Sequence, residues 1–347
     1  DLFEDYRIAG GVRLSGNFNN NEFFISFENL KKRLDKQIVF HRQSLITFQT
    51  NGTGIKVHTH DLRYTLKWPF NETLSARGSA IIRNDRSITL STDVSSLMVP
   101  NTYDTWGGLK GEIVFDNALK QGLNLYNGRR YKIFGEWYRQ VDKKNTNLYV
   151  IGIDYRHYLK IHRELIWANR LAASTSFGDK KLIYYLGGVD GWLKPVFNNA
   201  TNIASDQNYA YQSVATNMRG FNQNIRNGNS FALISSELRF PVFQYFMNRP
   251  MKSDFIKNFQ VVGFADAGTA WTGKSPYSSD NSFNTDIIKN GPITIRLIHQ
   301  REPIVVGYGI GLRSRLWGYF IRFDWARGIE DGIVLPRVFY WSLSLDF

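Results

Sequence analysis

Three charged residues stand out by type and spacing. Arg219 sits in the run Met218-Arg219-Gly220-Phe221, followed by Glu237 and then by Asp266 in the run Phe264-Ala265-Asp266-Ala267-Gly268. A guanidinium presents five donors in a planar fork and can hold two carboxylates at once. That chemistry makes a clamp, not a catalyst. Gly220 lets the loop tip turn tightly beside Arg219, and Gly268 is expected to leave room for that tip. No catalytic set accompanies them. The chain has no cysteine, which excludes disulfides, thiol nucleophiles and thiolate metal sites. His58 and His60 lie two apart on one strand face, a spacing for a metal pair, but no third ligand is evident. Ser, His and Asp occur without a nucleophile elbow. Gly307, Gly309 and Gly311 have a period of two and no following helix, so they form a small-residue strand face, not a dinucleotide loop. Neither an enzyme activity, a cofactor nor a metal is expected.

Whether Arg219 can reach both carboxylates depends on the elements that carry them. In 338–347 one parity reads Phe339, Trp341, Leu343, Leu345, Phe347, and the other Tyr340, Ser342, Ser344, Asp346. That period of two marks a strand with one apolar and one polar face. The same alternation sets Ile304, Val306, Tyr308, Ile310 and Leu312 against Gly307, Gly309, Gly311 and Arg313, and Tyr319, Ile321, Phe323 and Trp325 against Arg322 and Asp324. Tyr149, Ile151, Ile153 and Tyr155 likewise oppose Gly152, Asp154 and Arg156, and Tyr6, Ile8, Val12 and Leu14 oppose Arg7, Ala9, Gly11 and Arg13. Applied to the charged residues, parity puts Glu237 and Arg239 opposite Ile234, Leu238 and Phe240. It puts Phe264, Asp266 and Gly268 opposite Val261, Ala265 and Trp271. Both acids thus fall on the polar faces of neighbouring strands.

Strands are predicted at about 6–16, 21–30, 36–49, 55–68, 73–83, 86–97, 105–115, 129–141, 147–158, 163–177, 181–187, 231–241, 258–271, 304–316, 318–328 and 337–347, roughly sixteen in all, an even number suited to a bacterial barrel. Turn residues separate them, among them 16–21, 51–54, Asn84-Asp85, Asn127-Gly128 and Gly178-Asp179. Long connections are expected at 188–230, 242–257 and 272–303, the first and third outside the cell and the second in the periplasm. A connection as long as the first is uncommon without a function.

Composition fits this reading. Apolar residues are 43% and aromatics 15%, too apolar for disorder, yet no run approaches the roughly 18 apolar residues of a membrane helix. A β-barrel with an apolar outer face, aromatic girdles and a polar lumen resolves that mixture, and closure removes sheet edges. A soluble propeller is the main rival. The net charge is 43 − 30 = +13, but no RNA-binding signature accompanies it, so no nucleic-acid partner is expected. Lys31-Lys32-Arg33 and Lys143-Lys144 read as solvated turns within reach of lipid phosphates.

The order of these features resembles the outer-membrane protein assembly factor superfamily, the BamA- and TamA-type barrels and the two-partner-secretion transporters. In that family a Val/Ile-Arg-Gly-Phe/Tyr loop tip contacts acidic residues on the next two strands. The tip is matched here by Met218-Arg219-Gly220-Phe221, with Met218 departing at the first position. The acids are matched by Glu237 and by Asp266 in the Phe264–Gly268 run. The resemblance is strongest over 188–347 and thin before it. The first strands and 261–271 are similar to Bacteroidetes barrels that follow a TolB-like propeller.

The resemblance implies an all-β fold: one outer-membrane barrel of about sixteen strands spanning 1–347, with 188–230 as a loop folded into the lumen. It implies a Gram-negative outer membrane, surface exposure, and insertion or translocation of polypeptides without a catalytic residue. The first and last strands would meet at a seam that opens sideways, with Gly10 and Gly11 weakening pairing in the first strand and Trp341 and Phe347 lying in the last. The glycines equally fit a tight bend of a closed barrel. A terminal Phe347 is the mark by which such barrels are themselves recognised. Partners would be outer-membrane lipids including lipopolysaccharide, unfolded or translocating polypeptides, and lipoproteins. The chain begins at Asp1-Leu2-Phe3 with no signal peptide, so a periplasmic domain is expected upstream of it. Two other functions fit the same residues: a passive solute channel stiffened by the ion cluster, or an anchor for a soluble domain or partner lipoproteins.

Overall fold

The structure, a computed structural model, describes residues 5–14, 21–48, 54–90, 100–141, 145–203, 207–247, 250–290, 293–299 and 301–343. The described strands are β1 (Tyr6–Leu14), β2 (Asn21–Asn29), β3 (Asp35–Phe48), β4 (Gly54–Pro69), β5 (Leu74–Thr89), β6 (Thr102–Asp116), β7 (Leu119–Gly122), β8 (Leu125–Gln140), β9 (Asn147–His162), β10 (Leu165–Gly178), β11 (Lys181–Leu186), β12 (Tyr209–Thr216), β13 (Arg226–Gly228), β14 (Ser230–Phe240), β15 (Gln260–Trp271), β16 (Thr285–Asn290), β17 (Ile293–Ile298), β18 (Val305–Leu316), β19 (Tyr319–Glu330), β20 (Ile333–Val334) and β21 (Val338–Leu343). Sixteen of them form one sheet in the order β1-β2-β3-β4-β5-β6-β8-β9-β10-β14-β15-β18-β19-β20, with β21 also on β19 and β7 on β8. The register pairings described for this sheet are antiparallel, as a chain of hairpins requires. Among the described residues, helix is confined to two short turns, Val242–Phe246 and Asp254–Lys257. No described helix is long and apolar enough to cross a membrane.

The chain divides into two compact units: residues 1–114 with 134–149, and 115–133 with 150–347. In the first, the polarity is inside out. On β4 the buried residues are Thr59, Asp61 and Thr65, while Leu62, Tyr64, Leu66 and Trp68 are exposed. Polar partners satisfy one another across strands: the Thr59 hydroxyl donates to Asp85 at 2.5 Å, and the Thr65 and Ser79 hydroxyls share a bond of 2.8 Å. A sheet that buries its hydroxyls and exposes its leucines is built for an apolar solvent.

The second unit repeats this on β14, β15, β18, β19 and β21. Ile234, Leu238, Ile310, Trp325 and Phe339 are exposed, and Glu237, Arg239, Asp266, Arg313, Arg322 and Asp324 are buried on the other face. The hairpin order puts the connections 179–229 and 272–304 at one end of these strands and 241–259 at the other.

Several local expectations are corrected. Asn84-Asp85 is not a turn: β5 runs through it, with Asn84 opposite His60 and Asp85 opposite Thr59. Its turn-type side chains are satisfied within the sheet, Asp85 by Thr59 and Arg83, and Asn84 by the Thr105 hydroxyl. The expected strands 73–83 and 86–97 therefore merge, and 91–97 lie outside the described residues. The turn placed at Asn127-Gly128 falls earlier, at Leu123-Asn124, where Asn124 takes a φ of 61°. Segment 181–187 is not a strand of the large sheet. As β11 it sits between β12 and β13 in a separate three-stranded sheet. Leu182 to Leu186 are all buried, so this segment has no lipid-facing side. The connection 272–303 carries an unforeseen hairpin, β16–β17.

The exposed apolar face makes a sharp prediction. Ile310, at the middle of β18, is 61% exposed. Ile310→Arg should lower stability in lipid bilayers by about 2–4 kcal/mol, as for a cation at the membrane midplane. On a water-facing strand the same change would stay within about 0.5 kcal/mol. Urea unfolding from liposomes measures it.

Candidate functional site: a loop tip clamped to the inner face of the sheet

Cross-strand register assembles the site. One row across the polar face reads Ser235, Asp266, Gly307, Gly328; the next reads Glu237, Phe264, Gly309, Ala326, Val338; the third reads Arg239, Val262, Gly311, Asp324, Tyr340. Glycines on β18 and β19 therefore form a shallow floor beside a wall of charged residues on β14 and β15.

The tip Arg219-Gly220-Phe221 lies on that floor. A Cβ at Gly307 would strike the Arg219 carbonyl, and one at Gly328 would strike the Phe221 ring. Gly220 has a φ of +96°, and a Cβ there would come within 2.7 Å of the Arg327 carbonyl. The tip thus requires glycine on both sides of its contact. Gly268 does something else. A Cβ on it would meet Leu233 and the Ala232 carbonyl of the adjacent strand, so it relieves packing between β14 and β15; the room for the tip is made on β18 and β19.

Arg219 is 2% exposed. Its Nε and one terminal nitrogen donate to the two oxygens of Asp266 at 2.7 and 2.6 Å, and the other terminal nitrogen donates to Glu237 at 2.5 Å. Its backbone N–H also donates to Asp266, at 3.2 Å. The guanidinium lies over the Phe264 ring at 3.8 Å, which gives that aromatic a cation–π role. Burial disfavours the charge on Arg219, but Asp266 and Glu237 outweigh it, so the group is held protonated more firmly than a free arginine. Glu237 also accepts from Arg239 at 2.8 Å and from Arg313 at 3.0 and 2.8 Å. Arg239 continues to the Asn124 carbonyl at 2.9 Å.

Met218 is buried, and its N–H donates to the Gly188 carbonyl at 3.0 Å. The Tyr340 hydroxyl on β21 accepts from the Gly220 N–H at 2.9 Å and donates to the Phe221 carbonyl at 2.7 Å. Sequence reasoning gave Tyr340 no role; the available signal was a single large residue on the serine-lined face of the last strand. Arg313, Gly307 and Gly328 were also missed as parts of the site, although the glycine period of two was visible. Another buried arginine of the loop, Arg226, braces its base. It donates to Glu330 at 2.5 Å and to the Pro303 and Glu302 carbonyls at 3.1 Å.

The remaining expected residues fall elsewhere. Gly10 and Gly11 lie in β1, in unbroken register with Ile25 and Phe24 of β2. They do not interrupt that pairing, and Gly11 leaves space for the Phe24 ring. Trp341 faces outward on β21, stacked on Phe323 at 5.8 Å. Phe347 and Lys143-Lys144 lie outside the described residues. His60 stacks on Phe40 at 6.4 Å, and no group of three metal-ligating side chains occurs among the described residues. In the 31–34 turn, Arg33 lies over the Trp68 ring at 4.8 Å.

An antiparallel sheet with an exposed apolar face, a buried polar face and a long loop clamped to the latter defines a transmembrane β-barrel protein. Residues 2–347 match the Omp85 superfamily domain; the chain belongs to that superfamily and is a Gram-negative outer-membrane protein. Its fold is similar to BamA from Haemophilus ducreyi lacking POTRA domains 1–3, with a TM-score of 0.59 and 16% identity, covering 97% of this chain and 67% of that one. It is similar to CdiB from Acinetobacter baumannii, at 0.53 and 14% identity, covering 94% of this chain and 50% of that one. CdiB from Escherichia coli gives 0.55 and 12% identity, with 97% and 55% covered. The chain thus spans about half the length of each CdiB. No curated protein matches it in sequence.

The clamp predicts an asymmetric energetic response. Arg219→Ala should destabilise by about 3–5 kcal/mol, because it strands Asp266 as a buried carboxylate. Adding Asp266→Asn to Arg219→Ala should recover part of that loss. Urea unfolding of the single and double variants in liposomes measures both.

Proposed function

We propose that this protein inserts polypeptides into the outer membrane, or passes them across it, through a lateral seam between its first and last strands. It uses neither a catalytic residue nor a cofactor. Its partners are unfolded polypeptides, the surrounding lipids including lipopolysaccharide, and periplasmic or lipoprotein components. Superfamily membership supports the reading at the level of class. The observation that carries it further is the tie between the clamped tip and the last strand, made by the Tyr340 hydroxyl to Gly220 and Phe221.

A solute channel has no use for that tie. Its selectivity would come from charges lining an open lumen, whereas here the charges are spent on holding a loop. A buried ion cluster is a poor source of net stability but specifies one arrangement strongly, since losing one partner is severe. Such a cluster suits a two-position latch. While the tip is bound, the last strand is held; when it leaves, the strand is free to part from its neighbour.

Purified protein in liposomes, given a urea-denatured porin, tests this. The unmodified chain should accelerate porin folding, read by heat-modified electrophoresis. Tyr340→Phe, which keeps the ring and removes the hydroxyl that holds the last strand to the tip, should raise the rate about tenfold, the scale of two hydrogen bonds. Large steady conductance without any porin folding would mark a passive channel and sink the proposal. Normal growth of outer-membrane porins in cells carrying Arg219→Lys and Tyr340→Phe together would mark an anchor.

A further inference from the structure

His58 and His60, the pair spaced for a metal, have company of another kind. Both stand on the face of β4 that turns Leu62, Tyr64, Leu66 and Trp68 outward. Cross-strand register places Arg42 of β3 and Asn84 of β5 beside His60, and Arg86 of β5 beside His58. Lys56 follows on the same face of β4. The contacts agree with this side. His60 stacks on Phe40 at 6.4 Å, the Arg86 guanidinium lies over the exposed Tyr103 ring at 5.7 Å, and Asn84 donates to the Thr105 hydroxyl at 2.9 Å.

The patch is basic without compensation. The charged groups acting most on His58 are Lys56, Arg42, Arg86 and His60, and none is an acid. Asp61 and Asp85 of the same strands are buried on the inner face, where Thr59 and Arg83 hold Asp85. Arg42, Lys56 and Arg86 make no ion pair among the described residues. Ser44 stands opposite His58. The Ser44 hydroxyl, His58 Nδ1 and Arg86 Nε are covered atoms with no hydrogen-bond partner among the described residues, whereas covered polar atoms ordinarily have one.

The height of the patch says what it faces. From His58 to Trp68 is 68 − 58 = 10 residues, about 33 Å along a strand. At a tilt of about 40° that is about 25 Å, the height of the apolar band of an outer-membrane barrel. Trp68, with Arg33 over its ring at 4.8 Å, marks one rim of that band; the basic patch marks the other. Counted in hairpins from a periplasmic start of β1, the basic rim is the outer one. Directly below it the next row across the strands is Phe40, Leu62 and Ile82, with Leu62 and Ile82 exposed. Unpaired cations above an apolar wall complement a lipid that carries phosphates on its sugars and acyl chains beneath them.

We propose that the outward patch of Arg42, Lys56, His58, His60 and Arg86 binds the sugar phosphates of lipid A, the membrane-embedded part of lipopolysaccharide. Arg42, Lys56 and Arg86 supply the charge, and Phe40, Leu62 and Ile82 pack against the acyl chains. This gives the lipopolysaccharide partner proposed above a place on the wall and rests on that part of the reading; it does not need the assembly function.

The full chain, purified in detergent, is titrated with bisphosphoryl lipid A, and bound lipid is counted by native mass spectrometry. Arg42→Gln/Lys56→Gln/Arg86→Gln should weaken the Kd about a hundredfold, the scale of three cations near an anionic surface. Lys31→Gln/Lys32→Gln/Arg33→Gln loses the same charge at the other rim and should stay within about twofold, since charges that far apart are screened. Lipid A stripped of its phosphates should bind the unmodified chain as weakly as the first variant binds lipid A. That comparison needs no substitution, so it decides the matter even where the first variant fails to fold. Phosphatidylglycerol or inorganic phosphate bound as tightly as lipid A, no loss in the first variant, or equal losses in the two variants overturns the proposal. Porin folding is scored separately in liposomes. Phosphate-dependent lipid A binding without accelerated porin folding would overturn the assembly function and leave this site standing.

Discussion

A loop that must lie on the inner face of a sheet brings a cation out of water, and the rest of the arrangement follows from satisfying it. Arg219 carries its charge into a site 2% exposed, where an unpaired guanidinium would be untenable. Asp266 takes two of its donors and the backbone N–H as well, and Glu237 takes a third. Glu237 is in turn shared with Arg239 and Arg313, so one carboxylate joins the loop to β14 and β18. The geometry works only because the backbone can come close. Gly307 and Gly328 supply the missing volume beneath the tip, and Gly220 supplies the turn above it. Ion pairing and glycine placement are two halves of one constraint. The charges specify where the tip sits, and the glycines specify how deep.

Much of this was legible from residue order. Parity alone put Glu237, Arg239 and Asp266 on one face and Ile234, Leu238 and Ala265 on the other, and burial follows that division. The same test sorted β18, β19 and β21. It failed where a residue type has a second use inside a polar lumen. Asn84-Asp85 reads as a turn because those side chains bond to nearby backbone in water. Within the sheet they bond instead across strands, Asp85 on the inner face to Thr59 and Arg83 and Asn84 on the opposite face to Thr105. Segment 181–187 read as a membrane strand from its apolar content, yet it is covered on both sides. Alternation was weak there, and that weakness was the signal. Tyr340 was beyond reach because its role depends on a loop 120 residues away, and parity says which face a side chain takes, not what lands on it.

The composition takes on a different meaning once the faces are separated. Aromatic and aliphatic residues point outward from the strands, while hydroxyls, carboxylates and guanidinium groups point inward and pair with one another. The excess of cations over acids is not concentrated in a nucleic-acid-binding stripe. In the second unit, Arg219, Arg239, Arg313 and Arg322 surround Glu237, Asp266 and Asp324. Basic residues here do structural work, holding the loop and stitching adjacent strands.

The clamped loop also meets the last strand through two backbone bonds, the Leu193 N–H donating to the Trp341 carbonyl at 2.9 Å and the Leu343 N–H donating to the Gly191 carbonyl at 3.1 Å, with a cleft opening beside Val338 and Phe339. The loop thus shares in the ladder of the last strand as a short extra rung pair. Its two bonds lie two residues apart on one edge, so residues 191–193 can leave that edge only by breaking both.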